Sequence, residues 1–469
     1  MLPSLGETAV VQATIDSLTA RAFPVRGTEE RDVARVKGDA RMAVVMARAV
    51  FGRIADSDTL ADLDVMTSFG SATVRAPVVA SILAEVRERT LATNVGREVF
   101  REQLVAGAWR ERSRRTDVNP EGQHDFVADL RMQRSFKAYL DRVWPAMSAA
   151  AVVRSLLGSR RGLAQAGSGL IDAADLRRIE RRAATRAADE RWTRSDLALL
   201  DEANHLITGE TPQFAHVVVD EAQDLAAMEL RMVARRSPNR SITVLGDLAQ
   251  ATGAGASTRW ADALVQLGHG RVDGRGRQRD GIEGRIAELT IGYRVPAQLI
   301  AFANQLLPEA APGILPSTSA REGGEAPAIT FVERVALAGE AASVGVELAA
   351  RWGVVGIVTA PSFLDEIIGA LTDAGADHQD ARRSDSIEDG ITVVAAEAAK
   401  GLEFDAIVVV EPAMIASDHA DAGLRVLYVA LTRATQHVAI VHSEPLPACL
   451  RNGDEEDPTL IDSRTSSTG

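Results

Sequence analysis

Val217–Asp224 reads VVVDEAQD, a run of β-branched residues ending in two adjacent carboxylates, Asp220 and Glu221. A continuous apolar run of this kind predicts a strand buried on both faces, with the acids on the loop that leaves it. The same grammar recurs outward from this stretch. FAHVVV, SITVLG, AELTIG, PAITFV, GVVGIVTA, ITVVAA, DAIVVVEP and HVAIVH are short β-rich runs from about Gln213 onward. Helix-like stretches such as VPAQLIAFANQLL and APSFLDEIIGALTDAG lie between most of them. Strands alternating with helices predict an α/β fold whose parallel sheets are covered on both faces. In such sheets ligands gather beyond the carboxyl ends of the strands, and the chemistry is expected there.

Upstream, from about Arg31 to Leu206, the pattern is helical. Segments such as RMAVVMARAVFGRI and DLRRIERRAATRAADERW place apolar or small residues at three- and four-residue spacing with charges between. Pro24, Pro77, Pro120 and Pro145 mark expected breaks between helices. The cluster RSRR, Arg112 to Arg115, reads as a solvated helix end. The segment from Asn452 to Gly469 is acidic, then rich in Ser and Thr, and reads as a frayed tail.

Bulk properties narrow the function. A length of 469 residues allows two or three domains with cores of their own. No apolar run approaches the roughly 20 residues that span a bilayer, and no export signal opens the sequence, so no membrane partner is expected. The single cysteine, Cys449, excludes an internal disulfide framework and points to a reducing cytoplasm. A net charge of −13 argues against avid, non-specific binding of nucleic acid and suits docking onto a basic protein surface. The chain is expected to be a monomer.

Four further motifs follow the acid pair. VLGDLAQ, Val244 to Gln250, sets Asp247 and Gln250 at the end of the next strand. IGYRVP, Ile291 to Pro296, offers the ring of Tyr293 and the guanidinium of Arg294 just before a helix. AAKGLEFDAIVVVEP runs from Ala398 to Pro412, and LYVALTRATQHVAIVH from Leu427 to His442, with Arg433 near the end of a helix that leads into a strand. Adjacent carboxylates after a buried strand can hold a magnesium ion through one and orient a water through the other. The bland alternative for the charged groups among these is an ordinary ion pair at a domain interface.

In order and spacing, DEAQD, GDxxQ, YR, KGLEFD and YVALTRA resemble motifs two to six of the UvrD-like branch of superfamily 1 helicases, over about half of the chain. The resemblance implies two RecA-like motor domains of the P-loop NTPase fold, the first incomplete, with a large all-helical insertion. The expected boundaries are 1–20 for a remnant of the first motor domain and 21–210 for the insertion. The rest of the first motor domain would take 211–295, the second 296–450, and a disordered tail 451–469. ATP and Mg2+ are the implied ligands. Asp220 would hold the metal through water, and Glu221 would be the general base. Gln250 would couple the terminal phosphate to domain movement, and Asp247 would stand beside the acid pair in the nucleotide site. Tyr293 would stack on adenine, Arg294 would reach the terminal phosphate, and Glu403 would hold the ribose. Arg433 would be the arginine finger that neutralises transition-state charge. Trp260, which follows the Gln250 motif, is expected to pack, and nucleic-acid contact is the other reading.

Within that branch, only about a hundred residues separate Arg294 from Lys400, and the bulk lies before DEAQD. This arrangement is similar to the HelD/HelR motors that recycle RNA polymerase, as are the phrases LPSLGE at Leu2, VKGDARMA at Val36, VWPAM at Val143 and SDLALLDEA at Ser195. Core RNA polymerase is then the implied partner, with DNA a weaker one. A phosphate-binding loop needs a glycine-rich turn ending in Gly-Lys-Ser/Thr. Lys37, Lys137 and Lys400 follow Val36, Phe136 and Ala399, so no Gly-Lys occurs. The sequence is accordingly expected to be truncated at its N-terminus and inactive as an ATPase by itself. A DNA translocase and a non-catalytic interaction module are the alternatives.

Overall fold

The structure is a computed structural model that describes residues 10–20, 23–89, 92–115, 122–272, 278–282, 285–383, 389–418 and 422–451. The LPSLGE phrase, the break at Pro120, the tail from Asn452 and residues 273–277 lie outside them. The chain forms two compact units. One comprises Met1–Val219, Leu225–Val244 and Ala263–Ile282, and the other Asp220–Asp224, Leu245–Asp262 and Glu283–Gly469.

In the first unit, helices including Arg31–Gly38, Met42–Phe51, Thr93–Arg115, Arg134–Val143 and Arg194–Thr208 surround one core. The helix Arg134–Val143 shows why: Phe136, Tyr139, Leu140 and Val143 recur at helical spacing and are the residues it buries. Pro77 sits in the first turn of the helix Ala76–Glu88, where its missing N–H costs nothing, and Pro145 follows the end of Arg134–Val143. Lys37 is fully buried against Glu29 at 2.6 Å and Asp196 at 2.8 Å. Burial alone would raise the Asp196 pKa, but Lys37 and Arg181 outweigh it and hold the carboxyl below its ordinary value.

Three sequence expectations need correcting in the helical part of this unit. The helical region is not all-helical: β1 (Leu63–Thr67) and β2 (Gly70–Val74) form an antiparallel hairpin. Leu63, Val65 and Thr67 face inward and alternate with Asp64 and Met66, a period of two within helix-rich surroundings. Next, DLRRIERRAATRAADERW is α-helical only to Arg178, with a single 3-10 turn at Ala187–Asp189. Beyond Arg178, Arg181 N donates to Leu157 O, Arg154 donates to Ala184 O, and Ala184 N donates to Glu190. The backbone is thus satisfied by partners outside a helix. Finally, Arg112 is not simply solvated, because it stacks over the Phe126 ring at 5.2 Å. Arg114 fits the solvated reading, exposed and paired with Glu111.

The first unit also carries β3 (Val217–Val219) and β4 (Ile242–Val244), paired in parallel, and an antiparallel pair, β5 (Gly270–Val272) and β6 (Gln278–Ile282). The basic stretch from Gly268 to Arg279 therefore includes strand pairing. The expectation that Val217–Val219 is buried on both faces does not hold: in the two-stranded sheet of β3 and β4, Val219 is buried and Val218 is 62% exposed.

The second unit is built on a parallel six-stranded sheet. Two short strands precede it, β7 (Ile291–Gly292) and β8 (Thr318–Ser319), also parallel to each other. The sheet contains β9 (Ala328–Phe331), β10 (Val354–Thr359), β11 (His378–Asp380), β12 (Gly390–Ala395), β13 (Phe404–Val410) and β14 (Ala434–His442), in the order β11-β12-β10-β13-β14-β9. β10, β12 and β13 are rich in Val and Ile and buried along nearly their whole length. That burial needs cover on both faces, which the helices Leu337–Ala349, Leu364–Asp373 and Gly423–Leu431 of the same core help to supply. Among the described residues no helix is long and apolar enough to cross a membrane.

Candidate functional site

Register sets the site. β13 and β14 pair with Phe404 opposite Ala434, so Glu403 and Arg433, the residues immediately before them, stand side by side. The Phe404 amide donates to the Arg433 carbonyl at 3.1 Å. Asp220 and Glu221 follow β3 and Asp247 follows β4, at the carboxyl ends where ligands were expected, whereas Lys400, Glu403 and Arg433 precede β13 and β14, at the amino ends of those strands. A short turn carries the chain directly from the helix Gly423–Leu431 into β14, leaving Arg433 on that turn rather than beyond a strand.

Arg433 is buried, 6% exposed. Its Nε donates to Val429 O at 3.1 Å, and its Nη2 donates to Gln250 Oε1 at 3.0 Å. Burial lowers its pKa, the charge of Arg294 lowers it further, and Glu221, Glu403 and Asp247 work the other way. Those five residues therefore share one electrostatic neighbourhood. Arg294 and Glu403 form an ion pair at 3.0 Å, both more than half exposed. Tyr293 is 76% exposed and presents its ring to solvent.

The acid loop is strained and stitched. Glu221 adopts φ 51°, the left-handed region that costs a side-chain-bearing residue about 1–3 kcal/mol. Its amide donates to Asp220 Oδ1 at 2.9 Å, and its carboxylate accepts Gln223 Nε2 at 2.5 Å. Gln223 in turn accepts the amide of Asp247 at 3.1 Å, tying the loop after β3 to the loop after β4. Burial raises the Asp247 pKa, offset in part by the amide of Ala249. Gly246 has no room for a side chain: a Cβ would collide with Gln223 and come within 2.9 Å of the Trp260 ring. Trp260 thus packs against the loop.

Four residues without an assigned role in the sequence hold this site together. Gln223 and Asp224 lie inside DEAQD. Lys400 reaches Asp224 at 2.5 Å, Glu221 at 3.8 Å and the carbonyl of Gln250 at 2.6 Å. Arg321 donates to the carbonyls of Arg294 at 2.6 Å and Thr435 at 2.8 Å, and to Gln436 Oε1 at 3.0 Å. Gln223, Asp224 and Lys400 were visible as members of their motifs, whereas nothing in the sequence singles out Arg321.

Among the described residues no three His, Cys, Asp or Glu side chains stand together as a metal cage. Magnesium commonly uses one or two carboxylates and completes its shell with water and phosphate oxygens. Asp220 fits that habit only in company with a phosphate. Arg294 and Arg433 fit phosphate oxygens.

A mixed α/β unit on a parallel six-stranded sheet has the layout of a RecA-like helicase C-terminal domain. Residues 391–441, from β12 into β14, match the UvrD-like helicase C-terminal domain, and Lys400, Glu403 and Arg433 fall within the match. Among solved structures, the C-terminal domain of a possible DNA helicase from Lactobacillus plantarum WCFS1 is similar at 19% identity, over 34% of this chain and 92% of that one, with a TM-score of 0.28. No curated protein matches the chain.

Proposed function

We propose that the chain is part of a superfamily 1 helicase-like motor of the HelD/HelR type, one that binds core RNA polymerase and helps release it from nucleic acid or drug. The observation that carries the motor half is the bond from Arg433 to Gln250, which joins the last motif to the third at 3.0 Å. Asp220, Glu221 and Asp247 belong to loops stitched to that pair, and Arg294 and Glu403 lie within its electrostatic reach. ATP with Mg2+, when bound, supplies the phosphoryl group whose hydrolysis drives such motors. Here Asp220 would face the metal, Glu221 the attacking water, Arg294 and Arg433 the phosphates, Tyr293 the base and Glu403 the ribose.

Two features support polymerase as the partner. The span from Arg294 to Lys400 is occupied by β8 to β12 and their helices, which leaves little for an accessory domain of the duplex-unwinding kind. The net charge of −13 suits a basic channel better than a phosphate backbone. The absence of any Gly-Lys favours a second reading, a non-hydrolysing interaction role, for the chain by itself.

The test compares co-purification with core RNA polymerase against gel shift of free single-stranded DNA. Polymerase should be recovered, should be released by salt because the contact is partly electrostatic, and should be competed by DNA in the channel. Tight DNA binding with no polymerase recovered would replace this reading with a DNA translocase.

A further inference from the structure

We infer that Lys400 is a positioning residue of this site, whose ammonium fixes where Gln250 stands relative to Arg433. The inference rests on the reading of the cluster as a nucleotide site. Gln250 is gripped twice: its main-chain carbonyl accepts from Lys400 at 2.6 Å, and its side chain accepts from Arg433 at 3.0 Å. Asp224 extends the grip. One of its oxygens meets Lys400 at 2.5 Å, while the other takes the amides of Thr252 at 2.9 Å and Gly253 at 3.0 Å. The backbone just beyond Gln250 therefore hangs on the same carboxylate that Lys400 holds.

The sheet fixes the spacing of the two cations. Lys400 lies just before β13 and Arg433 just before β14, and these neighbouring strands pair from Phe404 opposite Ala434. Whatever sets Lys400 against Gln250 also sets Gln250 against Arg433.

Chemistry explains why this cation is a lysine. Asp224, Glu221 and the Gln250 carbonyl surround a single nitrogen, and the side chain is only 16% exposed. An ammonium is compact and has three rotatable donors, whereas a planar guanidinium fork spreads its donors apart. Of the chain's 52 lysines and arginines, only three are lysine. Lys37 is used in the same way, with Glu29, Asp196 and Thr193 converging on one buried nitrogen.

The experiment is hydrogen exchange on the full chain and on Lys400→Met and Lys400→Arg. In the Met variant, amides of residues 250–253 should lose at least about tenfold in protection, as expected when a local tether is cut. Strands β10 and β13 should keep theirs. The Arg variant should recover protection only in part, since it restores the charge but not the convergence. A second readout is the affinity for N-methylanthraniloyl-ATP. Lys400→Met should weaken it about as much as Gln250→Ala, and the double variant should be no worse than either. Unchanged protection at 250–253, a loss spread through β10 and β13, or full recovery by arginine would each overturn the assignment. If the unmodified chain binds no nucleotide, the nucleotide-site reading fails, and the exchange result still decides whether Lys400 holds Gln250.

Discussion

Arg433 donates a guanidinium N–H to Gln250 Oε1 at 3.0 Å, across 183 residues of sequence. A buried guanidinium is costly unless its donors are matched, and here Val429 O and Gln250 Oε1 match two of them. The bond joins the turn before β14 to the loop after β4. It has a consequence for stability as well as for the proposed chemistry: Arg433→Met should cost about 1–3 kcal/mol, because it strands polar partners. Denaturant midpoints check this, and a loss below about 0.5 kcal/mol would show that the bond is not maintained.

ATP turnover by this chain should be negligible, because no Gly-Lys is present to cradle phosphates. Phosphate release decides the matter. Turnover that disappears in Glu221→Gln would show that the remaining groups suffice and that the expectation is wrong.

Asp247 should oppose stability at neutral pH. Burial places its folded-state pKa above the unfolded value, so its favourable contribution is complete below the unfolded pKa, near 3.8, and is lost as pH rises through the folded value. Asp247→Asn keeps an oxygen for the Ala249 amide and removes the ionisation. Its melting temperature should exceed that of the unmodified chain at pH 7 by a few degrees, at roughly 2–4 °C per kcal/mol. The gain should vanish at acid pH, and a pH-independent difference would rule out ionisation as the cause.

Lys37→Met should leave Asp196 buried with one partner fewer, at a cost of about 3–5 kcal/mol. Asp196 behaves oppositely to Asp247. Its folded pKa is depressed, so its stabilisation is present above the ordinary value and lost as pH falls through the folded one. Asp196→Asn should flatten that acid limb of the stability profile, and an unchanged limb would contradict the pairing.

Gly246→Ala should be destabilised by overpacking, about 1–3 kcal/mol, and should perturb Trp260 emission. A neutral substitution would mean that Gln223 and Trp260 are not fixed against the Asp247 loop.

The sequence made parts of this molecule legible for physical reasons. β10, β12, β13 and β14 are buried runs whose β-branched residues announce them without tertiary context. The helix Arg134–Val143 is as clear, because its apolar stripe repeats at helical spacing. The hairpin β1–β2 carried a plain period of two, LDVMT, that the helix-rich neighbourhood obscured. The stretch after Arg178 has helical composition, yet its backbone is taken by Leu157, Arg154 and Glu190, partners that no local pattern reveals. The site residues were visible as motifs, and their mutual arrangement was not. Lys400 meets Gln250 across 150 residues of chain. Which end of β13 and β14 faces the acids follows from pairing register, which a string of residues does not encode.

Nucleotide binding at this cluster is measured by an equilibrium titration of the full chain with N-methylanthraniloyl-ATP and Mg2+, repeated on an Arg294→Ala/Arg433→Ala variant. Weak, saturable binding that unlabelled ATP displaces is expected. The double variant should weaken it by at least about tenfold, roughly 1.4 kcal/mol. Absence of saturable binding, or binding that the two substitutions leave unchanged, would contradict the assignment of this cluster as the nucleotide site.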